Sequence, residues 1–217
     1  VTRSISRELL DATEGVIANL EDNIRRGTAC GIESLLRKFP DAEFIEESAQ
    51  GTVQRLQRDI REFKAEHELD LVVVVNLAST EPFRQPDPCW DHPEMLEAAI
   101  KEDNRSALIP GILYAYAAIS QGCSFLNFTP SNGSEIPALK MLADWKNVPH
   151  AGRDGKTGET LMKTVLAPMF VHRNFKVLSW EGFNMLGNRD GLILEEPGSN
   201  AAKTANKHRL AELVRRE

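Results

Sequence analysis

The stretch His150–Leu166, HAGRDGKTGETLMKTVL, concentrates residue types that do chemistry: three glycines, an aspartate and two lysines on the approach to an apolar run. Gly155-Lys156-Thr157 is the ending of a phosphate-binding loop. The full pattern G-x-x-x-x-G-K-[ST] needs a glycine at position 150, where this chain has His150. Gly152 comes two residues too late for the loop to wrap a β-phosphate, and no strand ending in paired aspartates offers to hold magnesium, so triphosphate chemistry is disfavoured. Two accounts remain open. In one, the residues serve a helix. Asp154 or Thr157 caps it, and Glu159 pairs with Lys163 four residues on, a contact worth roughly 0.2–0.5 kcal/mol. Leu161, Met162, Val165, Leu166, Met169 and Phe170 then form the buried stripe, with Lys163 off it. In the other, Lys156 stands where the helix begins, and its ammonium joins free amides and the helix dipole in a site for phosphate or an enolate oxygen. Lys163, two turns further on, faces the same side if the helix starts early. An oxyanion contact of this kind is typically worth about 3–4 kcal/mol.

Groups of this sort must be held by regular elements, and the rest of the chain supplies them. Residues Ser4 to Leu20 carry apolar positions at helical spacing, and RGTACGIES reads as a short buried strand or loop. Ser48 to His67 is a surface helix that covers a sheet with Val53, Leu56, Ile60 and Phe63. The unbroken apolar run Leu71 to Val75 is expected of a central parallel strand buried on both faces. It ends in Asn76, Ala78, Ser79 and Thr80, at the strand end where open α/β sheets bind ligands, although an ordinary polar loop has the same composition. After the proline-rich QPDPCWDHPE, helices are expected at about Glu94–Lys101 and Ser106–Gln121, with Pro110 kinking or starting the second. CSFLNFTPSNGSEIPALKMLADW reads as strand, polar turn and helix. Ser131, Asn132, Gly133 and Ser134 cluster at that helix's free amides, where they either hold an anion or, through Asn132 or Ser134, simply cap the helix. A strand from Phe175 to about Asn184 runs into a loop rich in Asn, Asp and Gly, and the tail from Ala201 is a helix or a frayed end. Strands alternating with helices imply an α/β fold.

Composition narrows the function classes. A chain of 217 residues holds one large or two small domains, and 41% hydrophobic with 27% charged residues is the balance of a soluble globular protein. A formal net charge of −6 argues against nucleic acid as a partner. Cys30, Cys89 and Cys123 lie far apart with no C-x-x-C pair, and His67, His92, His150, His172 and His208 show no metal-ligand spacing, so neither disulfides nor a metal site is expected. The longest apolar run, LVVVV, is too short to span a bilayer, and the first residues lack the regions of a signal peptide, which points to a cytoplasmic protein with no membrane partner.

VVVVNLASTEP, NFTPSNGSEIPAL, AGRDGKTGETLMKTVLAPMF and SWEGFNMLGNRDG follow one another in the order and at about the spacing of inositol-phosphate synthases. The chain resembles the bacterial and archaeal type of this myo-inositol-1-phosphate (inositol-3-phosphate) synthase family from about Ser48 to Asn206. The resemblance implies a Rossmann-like NAD-binding domain over 1–150, then from 151–217 the start of an inserted α+β domain that carries catalytic lysines and builds a tetramer. It implies an enzyme that converts glucose 6-phosphate to myo-inositol 1-phosphate, with NAD reduced and reoxidised in each turnover. Carried over, Asn76, Ala78, Ser79 and Thr80 line the nicotinamide side, and Asp154 with Gly155 contacts NAD. Ser131, Asn132 and Gly133 face the sugar phosphate, and Lys156 and Lys163 stabilise oxyanions. Asn184, Leu186, Gly187, Asn188 and Asp190 match the family's N-x-L-G-N-x-D-G run, with Asp190 among the catalytic set. Gly198 stands where eukaryotic relatives have a lysine, which leaves Lys203 as the nearest basic residue.

Two departures qualify the resemblance. No G-x-G-x-x-G turn for the NAD pyrophosphate occurs, and family members continue well past residue 217, so the chain reads as an incomplete copy with both domains partial. Two competing functions therefore stand beside the synthase. One is a non-catalytic binding or assembly module of the same fold. The other is a related dehydrogenase that releases NADH and would need one of the three cysteines as its nucleophile.

Overall fold

The segment PGILYAYAAIS has no polar face, and a helix that is apolar all round must be buried on every side. It forms the central helix, with Ile112, Leu113, Ala115, Ala117, Ala118 and Ile119 inaccessible to water. Pro110 starts this helix, because the first helical position needs no amide donor. A computed structural model describes residues 6–39, 44–155, 158–181 and 190–204. In chain order the elements are α1 (Arg7–Leu20), β1 (Gly27–Thr28), α2 (Glu33–Leu36), β2 (Phe44–Ile45), α3 (Ala49–Glu66), β3 (Val73–Asn76) and α4 (Pro93–Lys101). They continue with α5 (Pro110–Ser120, the central helix), β4 (Ser124–Asn127), α6 (Pro137–Lys146), β5 (His150–Ala151), α7 (Gly158–His172) and α8 (Asp190–Ile193). A further helical stretch runs over 197–204.

Strands β3, β4 and β5 form a parallel sheet in that order, with Val73 to Asn76 opposite Ser124 to Asn127, and Phe125 and Leu126 opposite His150 and Ala151. Helices α4 and α5 connect the first pair and α6 the second, the alternation that parallel strands require. Helix α5 packs between α3 and α6 over the sheet, and Phe125 meets Leu139, Ile112 and their neighbours in one apolar core. The architecture is α/β with a parallel sheet, as the alternation of strands and helices implies. Residues 27–45 contribute a separate parallel pair, β1 with β2. Arg105 ties this region to the core: its guanidinium bonds Glu33, Asp103 and the Glu47 carbonyl, while Asp103 Oδ1 accepts the Ala49 amide at 2.7 Å. Helix α3 is capped by Ser48, whose Oγ accepts from Gly51 N.

Several expectations are corrected. The run Leu71–Val75 is not a strand covered on both faces. β3 is the edge of the described sheet, and exposure alternates along it, 54% at Val73 and 43% at Val75, while Val72 and Val74 pack on the core. A pleated strand sends successive side chains to opposite faces, and the helices described here cover only one of them. The apolar stripe of α7 is likewise not buried. Leu161, Met162, Val165 and Met169 are exposed, and Ala167 is the residue that is enclosed. Residues 175–181 form no strand, because no described edge offers them a hydrogen-bonding partner; the expected continuation to Asn184 lies outside the described residues. Helix α1 forms at its expected place with Ser6 as cap, yet buries none of its side chains.

Candidate functional site

Parallel strands deliver their carboxyl-terminal loops to one end of a sheet, and here those loops are stitched together by side chains. Asn127, the last residue of β4, is the hub. It is buried, its Oδ1 accepts from Thr129 N and Thr129 Oγ1 at 3.0 and 2.8 Å, and its Nδ2 donates to Ser131 O at 2.9 Å. Asn76, its register partner on β3, donates from Nδ2 to Asn127 Oδ1 at 3.4 Å and accepts the Ala78 amide on its own Oδ1 at 3.1 Å. Ser79 is exposed, whereas Thr80 and Glu81 turn inward.

Glu81 joins three elements. Its amide donates to Ser131 Oγ at 3.0 Å, and its Oε1 accepts the Gly111 amide at 2.7 Å in the first turn of α5. Oε2 is buried without a hydrogen-bond partner among the described residues. Burial pushes this carboxyl from its ordinary 4.5 up to about 7, against the opposing pull of the Gly111 amide and the Arg84 guanidinium. Arg84 in turn donates to Gly31 O at 2.6 Å, and its carbonyl accepts from Asn132 Nδ2 at 3.0 Å.

The β4–α6 loop does not cap its helix. The cap position of α6 is Ile136, with no side-chain hydrogen bond, and Gly133 to Glu135 form a short 3-10 turn ahead of it. Ser131 is instead spent on Glu81. Gly133 is packed so closely on Ile109 that a Cβ would lie 2.8 Å from Ile109 Cδ1. Asn132 Oδ1 and Ser134 Oγ are buried with no hydrogen-bond partner among the described residues.

The described part of the approach to α7 turns rather than extends, with positive φ at Gly152 and Asp154. After β5, Gly152 takes φ +105°, and a Cβ on it would lie 2.1 Å from Asn127 O. Asp154 N donates to Thr129 O at 2.9 Å and Gly155 N to Phe128 O at 3.1 Å, which ties this segment to the loop after β4. Gly155 lies flat on Phe128, where a Cβ would sit 2.0 Å from the ring. Lys156 and Thr157 lie outside the described residues, as do Asn184, Leu186, Gly187 and Asn188 and the side chains of Glu159 and Asp190. Lys163 is half-buried, with its ammonium 5.9 Å from the centroid of the Trp180 ring, a cation–π distance. Lys203, also half-buried, belongs to the stretch 197–204. That stretch adjoins the β3 loop, since Phe83 N donates to Gly198 O at 3.2 Å.

The structure thus joins Asn76, bonded to Ala78, to Asn127, links the β3 loop to Ser131 through Asn127 and Glu81, and brings Asp154 and Gly155 beside Thr129 and Phe128, at one end of the sheet. It does not join Lys163 or Lys203 to them by any hydrogen bond described here. Sequence reasoning overlooked Asn127 and Glu81. The signals were an asparagine closing an apolar strand, SFLN, and a lone acid directly before Pro82. Short neutral side chains and backbone amides line this end of the sheet, and two glycines that admit no Cβ let the chain after β5 pack directly on Asn127 and Phe128.

The thiols are unsuited to nucleophilic work. Burial raises Cys30 to about 11, and burial with the Asp87 hydrogen bond raises Cys89 to about 12; burial also raises Cys123. The described histidines have structural contacts: His92 accepts the Glu94 amide at the start of α4, His67 packs on Phe63, and His150 lies by Phe125. Among the described residues no group of three His, Cys, Asp or Glu side chains could hold a metal ion, and no helix is long and apolar enough to cross a membrane.

Comparison with known proteins agrees with this geometry. Residues 32–210 match the family model of the NAD-binding domain described as myo-inositol-1-phosphate synthase, and NAD is the cofactor of that domain. Over 155 residues, 71% of this chain and 36% of the relative, the sequence is 41% identical to an inositol-3-phosphate synthase of Bacteroides thetaiotaomicron. It is 35% identical to the Drosophila melanogaster inositol-3-phosphate synthase over 71% of this chain and 27% of that protein. The chain therefore spans about a third of the length of these relatives. The crystal structure of the Caenorhabditis elegans inositol-3-phosphate synthase superposes with a TM-score of 0.81 at 25% identity, over 94% of this chain and 40% of the other. A myo-inositol-1-phosphate synthase-related protein from Thermotoga maritima superposes with a TM-score of 0.64 at 32% identity, over 83% and 46%. With strand-end loops of the expected residues and a match over most of its length, the chain belongs to the myo-inositol-1-phosphate synthase family.

Proposed function

We propose that the protein forms inositol phosphate from glucose 6-phosphate by internal oxidation, enolisation, aldol cyclisation and re-reduction. The observation that carries this reading is the convergence of three separated segments, Asn76–Thr80, Phe128–Asn132 and Gly152–Gly155, on one end of a parallel sheet in a chain of this family. NAD, when bound, supplies a hydride acceptor that returns the hydride within the same turnover. The residues present fit the part of that cofactor that lies over strand ends. The buried oxygens of Asn132 and Ser134 have no hydrogen-bond partner among the described residues, and Gly152 and Gly155 let the chain lie directly on Asn127 and the Phe128 ring beside them. Asn76, Ala78, Ser79 and Thr80 are assigned the nicotinamide side, and Asp154 with Gly155 a second cofactor contact. Ser131, through the Glu81 amide, and Asn132, through the Arg84 carbonyl, hold the loop that faces the sugar phosphate. Gly133 lets that loop lie flat on Ile109.

Oxidation at C5 acidifies the neighbouring C6 proton, and the enolate then attacks the C1 aldehyde, so negative charge develops on the C5 and C1 oxygens in turn. Lys156 and Lys163 are assigned to these oxygens, with Asp190 and Lys203 completing the catalytic set and Asn184, Leu186, Gly187 and Asn188 holding substrate. Lys163 reaches this role by leaving the Trp180 ring. In the same reading the NAD-binding domain runs through residue 150 and an inserted α+β domain, which builds a tetramer, begins after it. The protein works as a cytoplasmic enzyme, with no membrane or nucleic-acid partner.

The test is incubation of the full chain with glucose 6-phosphate and NAD, separating products by chromatography. An inositol phosphate formed without net NADH is the expected result, and Lys156→Ala lowers its rate by about 100-fold or more. Net NADH, or an undiminished rate in Lys156→Ala, overturns the reading or the role of Lys156 respectively.

A further inference from the structure

We propose that Glu81 is a positioning residue, a latch whose buried carboxyl locks the Asn76–Thr80 loop to the first turn of α5 while its backbone amide ties the same loop to the β4–α6 loop. The geometry is specific to this residue. Glu81 uses its backbone amide on Ser131 Oγ and one carboxyl oxygen on Gly111 N, which binds three elements through one residue. The fit is close, since a Cβ on Gly111 would lie 2.7 Å from Oε2. Oε2 has no hydrogen-bond partner among the described residues, and the residue is 6% exposed. A charge on that oxygen has no hydrogen-bond donor among the described residues to stabilise it, whereas a neutral acid group costs far less in the same place.

The groups around the latch do not reverse this balance. Arg84, on the same segment, favours the charged form, as does the Gly111 amide, and burial outweighs both. Tyr114 on α5 carries a hydroxyl raised by burial and so stays neutral below pH 10. The β4–α6 loop presents Ser131, which does not titrate. Glu196, beside Gly198 on the segment that borders Pro82, is acted on by burial, which raises it, and by the Ser199 and Gly198 amides, which lower it below the ordinary value overall. It stays ionised through the range in which Glu81 titrates.

The consequence is a loop whose anchorage depends on pH. With a carboxyl near 7 when latched and near 4.5 when released, the latch is fully held below pH 4.5. It weakens about tenfold per pH unit above that, and it has lost its extra hold once pH exceeds 7. From pH 5 to pH 8 the opening equilibrium rises about 70-fold.

Amide hydrogen exchange on the full chain tests this directly, after correction for the intrinsic base dependence of exchange. The peptide spanning Asn76–Arg84 and the Gly111 amide should lose about 70-fold in protection between pH 5 and pH 8. Glu81→Gln, which keeps an acceptor for Gly111 and cannot ionise, should remain protected at both pH values. Glu81→Ala should be poorly protected at both. A corrected protection that is flat in wild type, or a slope that survives in Glu81→Gln, overturns the latch. The cofactor half rests on the NAD reading above and is measured separately by calorimetric NAD titration. NAD should bind more weakly at pH 8 than at pH 5 in wild type and equally at both in Glu81→Gln. Failure of wild type to bind NAD at either pH overturns the cofactor half, and the exchange slope still decides the latch. Equal binding at both pH values alongside a steep exchange slope shows that the loop does not position the cofactor.

Discussion

Gly152→Ala is the substitution whose cost can be worked most directly. Gly152 holds φ +105°, a conformation that costs an L-residue about 1–3 kcal/mol. The added methyl would also lie 2.1 Å from Asn127 O, with Asn127 C and N at 2.9 and 3.0 Å, and none of these backbone atoms can swing aside. Relief requires the chain after β5 to move off β4, which stretches the bonds from Asp154 N to Thr129 O and from Gly155 N to Phe128 O, worth about 1 kcal/mol each. The total is about 3–5 kcal/mol, or about 10 °C in Tm for a chain of this size. Gly122→Ala is the control. It has φ +75° but open space around its Cβ, so it carries the backbone penalty without the clash and should cost about 1 kcal/mol. Chemical denaturation of both variants with matched m-values measures the difference. If Gly152→Ala costs no more than Gly122→Ala, the segment Gly152–Gly155 does not lie against the end of β4, and the convergence of loops on which the proposed function rests is wrong.

Two further outcomes follow from the site. Lys163→Met keeps the aliphatic stem and removes the charge, and the lost contact with Trp180 should cost about 1 kcal/mol in stability. If Lys163 reaches an oxyanion, the same variant lowers kcat by about 100-fold or more; an unchanged kcat reduces it to a helix-surface group. The three thiols should resist a disulfide reagent at pH 8 in the native protein and react on unfolding, Cys30 and Cys123 because they are enclosed and Cys89 because burial and the Asp87 hydrogen bond hold its proton. Cys89→Ser that abolished turnover would revive a thiol-based dehydrogenase.

What the sequence discloses about the fold divides along a physical line. Helices with a local signature stand where spacing and caps put them: Ser48 begins α3 and Pro110 begins α5. Both are decided within one turn of chain. Burial is decided by what covers an element, and periodicity does not report it. An unbroken apolar run such as Leu71–Val75 suits a strand covered on both faces, yet Val72 and Val74 pack on the core while Val73 and Val75 stay open. The same holds for α7, where Leu161, Met162, Val165 and Met169 make a correct helical stripe with no described element against it. Residues 175–181 show the complementary failure, because strand-like composition cannot create a hydrogen-bonding partner.

The site divides the same way. Residues chosen because their types suit a cofactor or an oxyanion were readable from short motifs, and several do meet at the sheet's end. The two residues that set the shape of that end were not readable, since each acts through partners far away in sequence. Glu81 reaches Gly111 across 30 positions and Ser131 across 50, and Asn127 meets Asn76 across 51. A search for catalytic groups looks for charge that is available, and so it passes over an acid that is useful because it is buried. That same burial raises the Glu81 carboxyl to about 7 and makes its protonation, rather than a motif, the variable that should govern how firmly the Asn76–Thr80 loop is held.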